Sequence, residues 1–185
     1  MKNTESAVRA GMRSASHSCH VRINHHPLLR GLASRESLLS DYCIVLIAYF
    51  HLFDKLETRI DEFLKQTPVA FDYSKRTKLS WLEQDLLFFN KDPYHESNLP
   101  ANPVDFPEIN NVGQLIGLLY AIEGSTLGGQ LISVNLSQNH NLTIVHGARF
   151  FNGYAENTGS HWEEFCRFAD SIQNNLVVSQ FKTEG

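Results

Sequence analysis

Apolar side chains recur at steps of three and four along most of this chain, the period of helices that turn one face to a core. The strongest run covers residues 35–65. Leu38, Leu39, Tyr42, Val45, Leu46, Tyr49, Phe50, Phe53, Leu56, Ile60, Phe63 and Leu64 form one wide stripe, with Glu57, Asp61 and Glu62 opposite. Pro68 stops it. Residues 4–24 carry a weaker stripe (Ala7, Val8, Met12, Ala15, Val21, Ile23) that ends before Pro27, and residues 74–90 carry Leu79, Leu82, Leu86, Leu87 and Phe88. Residues 111–137 are helical again from Val112 to Leu136. After a short aromatic stretch at 146–154 and a turn at 157–160, in which Ser160 is a suitable cap, residues 160–174 carry Trp162, Phe165, Phe168, Ala169 and Ile172 at helical spacing. Pro93, Pro100, Pro103 and Pro107 mark residues 91–111 as a long surface loop. No alternating strand pattern and no internal repeat occurs. The pattern predicts one compact all-α domain over residues 1–185, of about six helices.

Composition agrees with a globular domain. The chain has 185 residues, 42% apolar and 19% charged, enough for such a domain to bury roughly 70% of its unfolded surface. Lys plus Arg number 16 against 20 Asp plus Glu, a net charge of -4. That balance gives no bulk attraction to nucleic acid or anionic lipid. The first 19 residues hold no apolar signal core, and the longest apolar run, Tyr42 to Phe50, falls far short of the ~20 residues a bilayer needs. Cys19, Cys43 and Cys166 are odd in number and widely spaced, which suits reduced thiols and a cytoplasmic location.

Several chemistries are excluded by motif. The sequence has no G-x-x-x-x-G-K-[ST] and no G-x-G-x-x-G, so both phosphate-cradling loops are missing. It has no H-E-x-x-H, E-x-x-H, C-x-x-C-H or G-x-S-x-G either, which argues against zincin, di-iron bundle, c-type heme and hydrolase-elbow readings.

Two features could carry chemistry. Nine histidines is a high count, and His17, His20, His25, His26 and His51 lie in the first 51 residues. In the first helix Arg13, Ser16 or His17, His20, and Ile23 or Asn24 share one face. An imidazole there can bind iron, with Arg13 two turns earlier placed for an anionic group of the same ligand; spacing alone does not choose between His17 and His20, and the histidines can equally be exposed polar residues. The second feature is the segment Tyr120-Ala121-Ile122-Glu123-Gly124-Ser125-Thr126-Leu127-Gly128-Gly129-Gln130. Each glycine costs a helix about 1 kcal/mol against Ala. Gly124 and Gly128 share a face on which a flat ligand can lie against bare backbone. Close helix–helix packing, or a Gly-Gly turn between two helices, explains the glycines as well.

Together the two segments resemble the heme oxygenase family. Arg13-x-x-Ser16-x-x-x-His20-x-x-Ile23-Asn24 is similar to its proximal helix and residues 120–130 to its glycine-rich distal helix; residues 149–154 and 158–165 resemble its bacterial, bacteriophytochrome-linked branch. The resemblance implies an all-α fold with heme between the proximal helix and a glycine-kinked distal helix. It implies His20 as proximal ligand of the iron, Arg13 and Arg167 near the propionates, Ser16 and Tyr120 as further pocket residues, and Gly124, Ser125, Gly128 and Gly129 on the distal, catalytic side. The implied reaction degrades heme b, cofactor and substrate at once, with O2 and electrons from a ferredoxin or flavoprotein reductase, to biliverdin, carbon monoxide and Fe2+. Mammal-type members carry Asp where this chain has Ser125, and the last helix is expected to stop near Asn174, shorter than in the family. Those departures motivate the alternative of a non-catalytic heme-binding sensor, carrier or store on the same fold. A third reading is a helical adaptor that binds no heme.

Overall fold

Helices hold about three quarters of the structure, a computed structural model that describes residues 6–34, 37–95, 106 and 108–183, with side chains described as far as 172. Among the described residues there are seven α-helices and no strand: α1 Ala7–Asn24, α2 Pro27–Leu32, α3 Leu39–Gln66, α4 Leu79–Phe88, α5 Val112–His140, α6 Arg149–Asn152 and α7 Thr158–Thr183. The all-α expectation is met, with one helix more than the sequence pattern predicts.

The long helix α3 is the spine. Its stripe Tyr42, Val45, Leu46, Phe50, Phe53, Leu56, Ile60 and Phe63 is buried, joined by Ile47, and full burial of each such side chain stabilises by roughly 1.5–3 kcal/mol. Leu38 and Leu39, expected on that stripe, are exposed, because the helix starts only at Leu39. α4 and α2 pack on α3, α6 on α4, and α5 on α6 and α7; α1 lies against α7 and touches α2 and α5.

Two expected boundaries are corrected. Residues 74–90 are not one helix but a 3-10 turn, Ser74–Arg76, followed by α4. The break has a cause in α3: the Glu57 carboxylate accepts hydrogen bonds from the backbone N–H of Lys78 and of Leu79, so the new helix is capped from outside its own chain segment. The last helix begins at Thr158, before Ser160, and runs on to Thr183, past the stop expected near Asn174. The described part of the 91–111 loop has no helix, and residues 96–105 and 107 lie outside the described residues.

α5 runs unbroken through Gly124, Gly128 and Gly129, which removes the two-helix reading of that segment. Asn111 caps its start by accepting from Gln114 N at 2.9 Å, and Asn141 closes its end in the left-handed conformation with φ 55°. Among the described residues it is the one helix long and apolar enough to cross a membrane. Here Leu115, Ile116, Leu119, Ile122 and Leu136 are buried against neighbouring helices instead.

Candidate functional site

The first half of α1 is fastened to α7. Ser6 caps the helix through Arg9 N and donates its hydroxyl to Asp170, and Arg9 pairs with the same carboxylate at 3.3 Å. Val8 and Met12 pack against the core. The second half is different: every residue from His17 to Asn24 is exposed, Val21 and Ile23 among them. Ser16 donates its hydroxyl back to Met12 O at 2.8 Å. His20 Nδ1 lies 3.3 Å from the Asn24 side-chain amide. The amide nitrogen faces the ring and donates to Nδ1, which puts the ring proton on Nε2; turning the amide over, oxygen to the ring, would move that proton to Nδ1 and leave the Nε2 lone pair for a metal. His17 is exposed as well and has no such partner shown. The described residues bring no three of His, Cys, Asp and Glu together as a metal-holding group, so the early histidines form no cluster.

Facing outward on α5, the helix that α1 touches, is a strip without large polar groups. Gly117, Ala121, Gly124 and Gly128 recur at helical spacing, flanked by exposed Leu127, Leu131 and Val134. A β-carbon on Gly128 would meet nothing within 4 Å. One on Gly124 would lie 3.7 Å from the Trp162 ring of α7. Tyr120 leans on the same ring, centroids 5.5 Å apart. Ser125 is exposed and donates to Ile122 O at 2.7 Å, which leaves its oxygen lone pairs free to accept. Gly129 is turned the other way and buried, where a β-carbon would press 3.2 Å from the Phe151 carbonyl oxygen of α6. The structure therefore brings Ser125 and Gly128 to the open side, sets Gly124 half-buried against Trp162, and uses Gly129 for packing. Arg13 and Arg167 are both exposed, on α1 and α7.

The Heme oxygenase family profile matches residues 6–180. The chain belongs to the heme oxygenase family. Degradation of heme, bound as both substrate and cofactor, is the general business of that family. A search among curated proteins gives no significant match. The residues of this heme oxygenase-family chain fit heme on their own chemistry. An imidazole with a second-nitrogen partner supplies an iron donor, and a helix face with no β-carbon at Gly128 leaves room for a flat macrocycle. A separate cleft of about 590 Å³ between α3 and residues 68–77 is lined by Glu57, Asp61 and Asp72. Its carboxylates would repel propionates, and none of the candidate residues lines it.

One cluster was not foreseen from the sequence. Glu123, one residue before Gly124, is fully buried and takes Arg76 Nη1 at 2.8 Å on one oxygen and Lys78 Nζ at 3.1 Å on the other. Tyr154 donates to Glu123 at 2.9 Å and accepts from Lys78 at 2.8 Å. Burial pushes the Lys78 ammonium down, and Glu123 opposes that; burial and then Glu123 push the Tyr154 hydroxyl well up. His161 stacks on Tyr154 at 3.9 Å, and burial and then Arg76 lower its imidazole below the usual value. The available signal was that Glu123 is the lone carboxylate in the 29 residues of α5, a position where a charge needs partners.

Proposed function

We propose that the chain binds heme b between the exposed half of α1 and the glycine face of α5, and degrades it to biliverdin, carbon monoxide and Fe2+. The observation that carries this reading is the open face at Gly128, where, as at Gly117 on the same helix, a β-carbon would meet no described neighbour within 4 Å. His20 is the proximal ligand in this reading, oriented by Asn24. When bound, heme supplies the iron at which O2 is reduced and the carbon that is attacked. The residues do the rest. Bare backbone at Gly128, beside Gly124, would let a flat macrocycle approach α5 closely. Ser125 accepts a hydrogen bond from a water and holds it over that face; its place is that of the Asp of mammal-type members. Arg13 and Arg167 receive the propionates, and Ser16 and Tyr120 border the pocket. From Ala7 to Ser34 the chain carries Arg9, Arg13, Arg22 and Arg30 and no carboxylate. This suits anionic propionates and, beyond them, an acidic donor such as a ferredoxin, or a flavoprotein reductase. Three free thiols suit the cytoplasm and the bacterial, bacteriophytochrome-linked branch suits residues 149–165.

The test is anaerobic titration with hemin, followed by reductant and O2 with absorbance and product chromatography. A stoichiometric Soret band followed by biliverdin is expected. A Soret band that survives turnover conditions with every donor defeats the enzyme reading. That result would favour a heme sensor, carrier or store, the reading that Ser125, which cannot act as a carboxylate, supports.

A further inference from the structure

The Arg76 guanidinium is almost wholly buried, yet it belongs to a short 3-10 turn distant in sequence from both helices it touches. One nitrogen donates to Glu123 of α5 at 2.8 Å and to the His161 carbonyl of α7 at 3.2 Å. The other donates to Glu164 of α7 at 2.7 Å. Its plane lies over the Phe71 ring, 4.6 Å from the centroid, which fixes the direction of the fork. The residues it grips bracket one contact. Glu123 precedes Gly124, and His161 and Glu164 flank Trp162. The Trp162 ring stands 3.7 Å and 3.9 Å from the β-carbon position of Gly124. Lys78 does not share this role: its nitrogen meets Glu123, Tyr154 and the Arg76 carbonyl, and no group on α7.

We infer that Arg76 is a positioning residue, a clamp that sets Trp162 against Gly124 and so fixes the width of the heme-facing surface on α5. This rests on the heme reading above. A planar, five-donor fork can tie two helices at fixed separation where a single ammonium cannot. Arg76 touches neither ligand nor open face; it acts through the residue on either side of the Gly124–Trp162 contact, as a supporting layer does for any preorganised site.

Two variants test it. Arg76→Lys keeps a cation for Glu123 and loses the fork. Glu164→Gln removes only the arm on α7, at a side chain that is 57% exposed, so the fold survives. The chain has two tryptophans, so the apo protein gives two indole N–H signals, and Trp81→Phe assigns them. Both variants are expected to shift the Trp162 signal and leave Trp81 in place. Hemin affinity is expected to fall about tenfold in Arg76→Lys and about threefold in Glu164→Gln, a loss of up to ~1.4 kcal/mol, with thermal midpoints close to wild type in Glu164→Gln. A Trp162 signal unmoved in both variants overturns the clamp. So does a shifted signal with hemin affinity within twofold of wild type, since the contact would then have no bearing on the ligand surface. Wild type that takes up no hemin defeats the heme reading, and the purpose of the clamp with it, while the indole comparison in the apo chain still separates that failure from a clamp that does not hold.

Discussion

Gly128 and Gly129 are neighbours on α5 that lack side chains for opposite reasons: a β-carbon on Gly129 would meet the Phe151 carbonyl at 3.2 Å, and one on Gly128 would meet nothing within 4 Å. The two alanine variants therefore separate packing from ligand room. Gly129→Ala is expected to destabilise the apo chain, because the carbonyl it presses belongs to backbone held by the α6 cap. Gly128→Ala is expected to stabilise it by up to about 1 kcal/mol, the ordinary helix gain of alanine over glycine. The same Gly128→Ala chain is expected to bind hemin more weakly than wild type. Thermal unfolding and Soret titration check both. Equal hemin affinity in Gly128→Ala and wild type would remove the observation on which the heme site rests.

His20 is exposed and its one hydrogen bond runs to Asn24 within α1. His20→Ala is thus expected to change stability by less than about 0.5 kcal/mol, as surface changes do. Its effect falls on the ligand: the hemin complex should lose its six-coordinate or five-coordinate histidine spectrum, and added imidazole should restore it. His17→Ala, one helical step away, is the control and should bind hemin as wild type does. Matching loss in both variants would mean that His20 is not the single ligand on this face of α1.

What could be read from the sequence followed local period. The stripe of α3 needed only steps of three and four, and eight of its positions are buried as expected. The register of Arg13, Ser16 and His20 and the glycine segment were likewise local. The rest depends on contacts between distant residues. The 3-10 turn and the start of α4 are separated by Glu57, a carboxylate on another helix. Gly129 was indistinguishable from Gly128 because its reason, Phe151, lies on α6. Arg76 and Glu123 are 47 residues apart, and no periodicity connects them.

Tyr154 links Lys78 to Glu123 through one hydroxyl that both donates and accepts. Tyr154→Phe keeps the ring stacked on His161 and removes the hydroxyl. Glu123 then loses one donor and Lys78 one acceptor, both at buried positions, which is expected to cost about 1–3 kcal/mol in urea unfolding. Arg76 and Lys78 still pair with Glu123, so the loss should stay well below that of Glu123→Ala, which leaves the buried Lys78 ammonium without a carboxylate and Arg76 with only the half-exposed Glu164, and should cost ~3–5 kcal/mol. Equal losses in the two variants would show that the hydroxyl, not the carboxylate, organises this cluster.

Asp85 gives the fold a pH dependence of definite sign. Its side chain is fully buried on α4 and caps α6, accepting from Arg149 N at 2.7 Å and Phe150 N at 2.8 Å. Burial raises its carboxyl from 3.8 to about 6, against the opposing pull of the two backbone N–H groups and of Arg149. The unfolded chain gives up this proton near pH 4, and the folded chain keeps it until about pH 6. Between those values the native state holds the extra proton, so the contribution of Asp85 to stability falls as pH rises, by on the order of 2 kcal/mol across the window. Glu57, also raised by burial, acts with the same sign, so the measurement is a difference. Urea midpoints of wild type and Asp85→Asn are compared from pH 4 to pH 7. Wild type is expected to lose stability relative to the variant between pH 4 and pH 6 and to run parallel to it above. A gap that stays constant across that range, or opens in the other direction, would mean that the two N–H donors outweigh burial and that the carboxyl is ionised throughout.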